Sequence, residues 1–199
     1  MKEKDIPNGH LYPGKVKRLA ISMTKHGYRQ ADALAFIASA EGISDKDKPS
    51  IARWFSENLP KLEPRPDYQS ICEGCACCLG GKRLEEAKRI HAEEPSLAAR
   101  INRLLSAPDI MGFWGEKISE TTFEVRFFGE QAYYRCPCLK FEKGQQEAPL
   151  PEGYCYCCAG HLKHHIQKAL GCPVEVTFLT GSLTTMGRES CRFRVDIQI

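Results

Sequence analysis

Apolar residues recur at helical spacing through the first sixty positions. Val16, Leu19, Ala20 and Met23 mark one face of a helix predicted over 14–26, with a stop at Gly27. Ala33, Leu34, Ile37 and Ala40 repeat the pattern up to Gly42. Ile51, Trp54, Phe55 and Leu59 give a third helix its apolar face, and Ser50 is its expected N-cap. Together these predict a helical N-terminal unit over 1–62. Three prolines in the eight positions 60–67 read as extended chain, so a linker is placed at 63–71. Helical spacing resumes after Gly80-Gly81 with Leu84, Ala87 and Ile90, then with Leu97, Ile101, Leu104 and Leu105 ahead of Pro108.

Beyond that point the period shortens to two. Phe123, Val125 and Phe127 alternate with Glu124 and Arg126, and Gly129-Glu130 suits a tight turn. Ala132, Tyr134 and Cys136 would continue on a returning strand. Residues 143–153, rich in Gly, Gln and Pro, predict a loop. A helix is expected over 159–170, with Leu162, Ile166, Ala169 and Leu170 inward and Gly171 closing it. Val174, Val176 and Phe178 define one more strand, and Cys191, Phe193, Val195, Ile197 and Ile199 the last. The expectation is an α+β fold, an N-terminal helical unit followed by helices packed on a mainly antiparallel sheet of four or more strands. Residues 72–199 would form a cysteine-rich α+β domain for binding a ligand or metal.

Cysteine changes this picture from architecture to chemistry. The chain of 199 residues holds eleven, and nine fall into three knots: Cys72, Cys75, Cys77 and Cys78; Cys136 and Cys138; Cys155, Cys157 and Cys158. Packing cysteines scatter at helical or strand periods, so this crowding points to gathered thiolates. Zinc takes four such ligands tetrahedrally, and C-x-x-C is a common chelating arm. The two C-x-C pairs, one ending the predicted hairpin and one preceding the predicted helix, are favoured as a joint site: Cys136, Cys138, Cys155 and Cys157. Cys72, Cys75, Cys78 and Cys158 are further candidate ligands, and His161 stands one helical turn beyond Cys157. Four thiolates also satisfy an iron–sulfur cluster, the alternative cofactor. Cys172 and Cys191 are read as core residues, and His164 and His165 as helix surface. Tyr133, Tyr134, Tyr154 and Tyr156 surround the knots as packing residues or as walls of a pocket.

Charge narrows the partners. Lys plus Arg at 28 against Asp plus Glu at 25 leaves a formal +3, without the basic stripe that reads phosphates, so nucleic acid is not the expected partner. The basic residues of the first helices are balanced by acids, which makes these helices a packing or dimerisation unit and a homodimer the assembly they would serve. No apolar run reaches a membrane span, and the polar start lacks a secretory signal, so the expected location is the cytoplasm. In that reducing setting clustered thiols bind metal or react rather than form disulfides. P-loop, G-x-S-x-G and H-E-x-x-H motifs are absent, and no acid pair has catalytic spacing.

The run Cys155-Tyr-Cys157-Cys-Ala-Gly160, the helix after it, Gly171-Cys-Pro-Val-Glu-Val and the closing Cys191-Arg-Phe-Arg-Val resemble the cysteine-rich bacterial relatives of the 4-vinyl reductase type small-molecule-binding domain. The likeness spans about residues 70–199 and is strongest over 153–197. It implies an α+β ligand-binding domain, similar in fold to Golgi-transport tethering subunits. By position it implies Cys136, Cys138, Cys155 and Cys157 as metal ligands, with Cys75 and Cys78 alongside. The expected function is a metal-binding, small-molecule-binding sensor or accessory domain. A metal-dependent hydrolase of a small thiol- or nitrogen-containing substrate, and an iron–sulfur or thiol redox protein, are the alternatives.

Overall fold

The computed structural model describes residues 1–198. Helix α1 (Gly14–Lys25) buries Val16, Leu19, Ala20 and Met23 completely and packs on α2 (Gln30–Ile37), as the spacing predicts. Helix α3 (Lys48–Asn58) begins earlier than expected. Its N-cap is Asp47, whose carboxylate accepts the Ser50 amide at 3.1 Å, so Ser50 is the capped residue and not the cap. Pro49 costs nothing there, because amides of the first turn have no helical acceptor.

The segment read as a linker is more structured than its prolines suggest. A 3-10 turn at Leu59–Lys61 leads into α4 (Tyr68–Glu73), which buries Ile71 and Cys72. Burial of those two side chains stabilises a helix too short to form alone. Helices α5 (Lys82–Glu93) and α6 (Leu97–Leu105) follow, and Pro108 opens the short α7 (Pro108–Met111).

Four strands form one antiparallel sheet in the order β1-β2-β4-β3: β1 (Trp114–Lys117), β2 (Thr122–Arg126), β3 (Val174–Thr180) and β4 (Arg192–Ile197). The α+β expectation holds, but the hairpin is different. Residues 132–136 are not a strand. Val125 of β2 lies opposite Gly115 on one side and Phe193 on the other, so both edges of β2 are occupied and none remains for a returning strand. The Tyr134 amide instead donates to the Gly187 carbonyl at 2.9 Å, tying this loop to the one before β4. Strand β1 escaped the sequence reading because Trp-Gly-Glu-Lys has no apolar alternation to reveal it. Elsewhere the predicted inward residues Phe123, Val125, Val174, Val176, Phe193, Val195 and Ile197 are buried; Ile199 lies outside the described residues.

Helix α8 (Tyr156–Leu170) packs against β3, α4, α5 and α6. It begins three residues before the predicted start, which places Cys157 and Cys158 inside its first turn. Gly160 sets the approach of α8 to α4, because a Cβ there would overlap the Glu73 carbonyl. The N-terminal helices spend their apolar faces within the chain. Phe55 packs edge-to-face on Tyr154 with ring centroids 5.0 Å apart, and one buried cluster includes residues of α1, α3, α8 and the sheet.

Candidate metal centre

Three segments deliver the sulfurs: the turn after α4, the loop after β2, and the first turn of α8. The Sγ atoms of Cys138, Cys157 and Cys158 lie within 4.8 Å of one another and can hold a metal ion. Tetrahedral zinc with bonds near 2.3 Å sets its sulfurs about 3.8 Å apart, so small side-chain rotations bring these three onto one ion. Adjacent helical residues project about 100° apart, which lets Cys157 and Cys158 flank the same point.

Helix geometry also separates the pair that the C-x-C spacing had joined. Cys155 and Cys157 are two residues apart at the start of α8, roughly 200° around a helix. Cys155 is buried against Gly181 on the sheet side, where a Cβ at residue 181 would come 3.2 Å from its sulfur. Cys136 Sγ accepts the Cys138 amide at 3.3 Å and sits under the loop, outside the close trio. Of the favoured four, the structure gathers Cys138 and Cys157, adds Cys158, holds Cys136 at the edge of the trio by a side-chain hydrogen bond to Cys138, and turns Cys155 toward the sheet.

The first knot divides as well. Cys72 and Cys75 are buried, and Cys75 Sγ donates to the Ile71 carbonyl at 3.8 Å. Burial pushes the Cys72 thiol up to about 12, as expected for a protonated core residue. Cys77 reaches the cluster: its thiol points to Cys138, and that hydrogen bond, with burial, holds its proton on. Cys77 and Cys78 line a cavity of about 180 Å³ that opens beside the trio. Cys191 is buried against Ser182, as read from the sequence, whereas Cys172 is only half-buried.

Charge within the trio is unequal. Hydrogen bonds from Cys138 and Cys158 draw the Cys157 thiol well below its ordinary range, and the Lys15 ammonium, 3.0 Å from Cys157 Sγ, adds to the effect. Lys15 also donates to the Tyr154 carbonyl at 2.9 Å and lies 3.1 Å from the centroid of the Tyr154 ring. Burial works against its charge, but Cys157 and its neighbours hold it protonated. Hydrogen bonds to Cys136 and then Cys157 push Cys138 up to about 12, and hydrogen bonds to Cys138 and Cys157 move Cys158 upward too. Negative charge in the trio thus favours Cys157, and a divalent cation would displace the protons held by its neighbours.

Three histidines of α8 pin the turn that carries Cys77 and Cys78. His161 Nδ1 donates to the Cys77 carbonyl at 2.9 Å, His165 Nε2 to Cys78 at 3.2 Å, and His164 Nε2 to Leu79 at 3.1 Å. His165 is therefore buried and not helix surface, and His164 is half-buried. Burial lowers His165 to about 4 and moves His161 in the same direction. His161 Nε2 is left to accept Arg83 Nη1 at 3.2 Å. None of the four tyrosines walls the cavity; Phe127, Phe128 and Pro137 supply its apolar lining.

Sequence reasoning missed Lys15 and Arg83. Lys15 had a signal, since it precedes Leu19 by one turn and so interrupts an apolar helical face. Arg83, on a charged helix among other basic residues, had none. In comparisons with protein-family models, curated proteins and solved structures, none matches this chain.

Proposed function

We propose that this protein is a cytoplasmic metal-binding domain, with zinc its resident ion, that binds a small molecule beside the metal and acts as a sensor or accessory element. The observation that carries this reading is the convergence of Cys138, Cys157 and Cys158 within 4.8 Å at the side of a cavity. Thiolates select soft or borderline ions, and zinc accepts a three-sulfur set without a geometric demand of its own. Three protein ligands leave the fourth position for a molecule in the cavity, with the Cys77 thiol, which points to Cys138, at its edge. The spacing suits a single ion better than a cluster, whose bridging sulfides and several irons hold the cysteine sulfurs further apart. The likeness to 4-vinyl reductase type domains belongs to this proposal, as the source of its ligand-binding character.

The open position also favours a second reading, a hydrolase of a small thiol- or nitrogen-containing substrate, because an ion held by three ligands supplies an acidified water. Metal analysis tests the centre common to both. The purified protein is expected to carry about one zinc ion per chain and, after exchange, to show a cobalt–thiolate charge-transfer band. Cys138→Ser, Cys157→Ser and Cys158→Ser should each weaken or abolish that band, while Cys155→Ser and Cys72→Ser keep it. Full metal retention in a Cys138→Ser, Cys157→Ser double variant, or the brown absorbance of an iron–sulfur cluster, would overturn the assignment.

A further inference from the structure

The cavity beside the thiols contains a cation without an acidic partner. Arg83 stands in the first turn of α5 and makes no salt bridge among the described residues; its one hydrogen bond to protein there goes to His161 Nε2. Arg89 and Arg103, in the same helical layer, are matched by Glu86, Glu93 and Glu94. The difference is not crowding at the surface, because Arg83 lines the cavity that Cys138, Cys157 and Cys158 also line.

Two features hold the guanidinium in place. His161 donates from Nδ1 to the Cys77 carbonyl, so its Nε2 carries the lone pair that receives Arg83. Gly112, with φ 76 at the end of α7, lies against the guanidinium, and a Cβ there would overlap Nη2. A residue with a side chain at 112 would therefore displace Arg83 as well as strain the backbone. The fork keeps N–H groups free for a planar anion, the geometry in which arginine binds carboxylates.

We propose that the cavity takes a small organic anion bearing a soft donor, a mercaptocarboxylate in chemical class, with its carboxylate on Arg83 and its sulfur at the open position of the three-thiolate centre. This rests on the metal reading above. The sulfur binds as thiolate and its proton passes to solvent. The volume of about 180 Å³ is below the roughly 300–1,000 Å³ of drug-sized sites and suits a small ligand. Phe127, Phe128 and Pro137 would pack on the carbon skeleton.

Titration of the cobalt-loaded protein with mercaptoacetate and with 2-mercaptoethanol separates the anionic from the neutral thiol. Mercaptoacetate is expected to perturb the cobalt band at a concentration about tenfold lower or less, the factor a charge-assisted hydrogen bond supplies. Arg83→Gln should bring the two affinities to within about twofold while leaving the band and the response to 2-mercaptoethanol in place. Arg83→Lys, which keeps the charge but not the planar fork, should fall between, and it decides the matter if Arg83→Gln does not fold. Equal affinities in the wild-type protein, or a preference unchanged in the variants, overturn this proposal alone. Failure to develop a cobalt–thiolate band sinks the metal reading and this proposal with it.

Discussion

Lys15 reinforces the charge that hydrogen bonds from Cys138 and Cys158 place on Cys157. Its ammonium lies 3.0 Å from Cys157 Sγ and is held from its other side by the Tyr154 carbonyl and ring, so the positive charge has few other places to go. A thiolate paired this way in partly desolvated surroundings is favoured by Coulomb energy far more than one in water. Lys15→Met keeps most of the length of the side chain and removes the charge. In the metal-free protein the pH at which Cys157 becomes reactive toward iodoacetamide should move upward, and zinc affinity should weaken about tenfold or more, as expected for loss of a hydrogen bond to a charged group. An unchanged alkylation profile would show that the neighbouring thiols alone set the charge of Cys157. Arg83 works at the same scale but toward the cavity, where it adds positive potential next to three potential thiolates.

At the scale of elements, one face of α8 does two jobs. Its first turn presents Cys157 and Cys158, and the next two turns present His161, His164 and His165 to successive carbonyls of the Cys77–Leu79 turn. Spacing of i, i+3 and i+4 puts all three imidazoles on one side of the helix. That periodicity was visible in the sequence, yet it fits a solvated face equally well; only the docking of the cysteine-bearing turn made it an interior face. His165 pays for this position with a pKa lowered to about 4, from burial first and the nearby His161 second. The unfolded chain then binds a proton that the folded chain refuses between pH 6.5 and about 4, so stability is complete above the unfolded value and falls as pH drops through this window. After allowance for solvent screening the loss is about 2 kcal/mol at pH 4. Urea unfolding of wild type and His165→Gln at pH 7.5 and pH 4.5 should show a smaller pH-dependent loss in the variant, and equal losses would contradict this account.

At the scale of the whole molecule, the N-terminal helices and the cysteine-rich region share one core. Phe55 of α3 packs on Tyr154, which directly precedes Cys155 and whose carbonyl holds Lys15 of α1. Lys15 in turn reaches Cys157, so both sides of the chain meet at the candidate centre. Phe55→Ala should cost about 3–5 kcal/mol, the range for deleting a buried aromatic ring. It should also weaken the metal site, because the Lys15 ammonium lies 5.3 Å from the centroid of the Phe55 ring. Because the core is continuous, far-UV circular dichroism and the cobalt band are expected to report one coincident urea transition in wild type and variant. Two separated transitions would show the N-terminal helices to be an independent unit.

The helices with a strong 3.6-residue period, the alternating strands β2, β3 and β4, and the presence of a thiol-rich site were legible in the order of residues alone, because each depends on near neighbours along the chain. That order also identified Cys138, Cys157 and Cys158 as candidates. The tertiary structure decided which cysteines face one another. The C-x-C spacing carries no direction until its backbone is known: at the N-cap and first turn of α8 it sends Cys155 to the sheet and Cys157 to the cavity, while neighbouring Cys158 joins the latter. Likewise β1 exists as a strand only because β2 offers it an edge, and Lys15 becomes part of the site only because α1 docks 142 positions away from Cys157. Pairing and docking are long-range events, and no local periodicity records them.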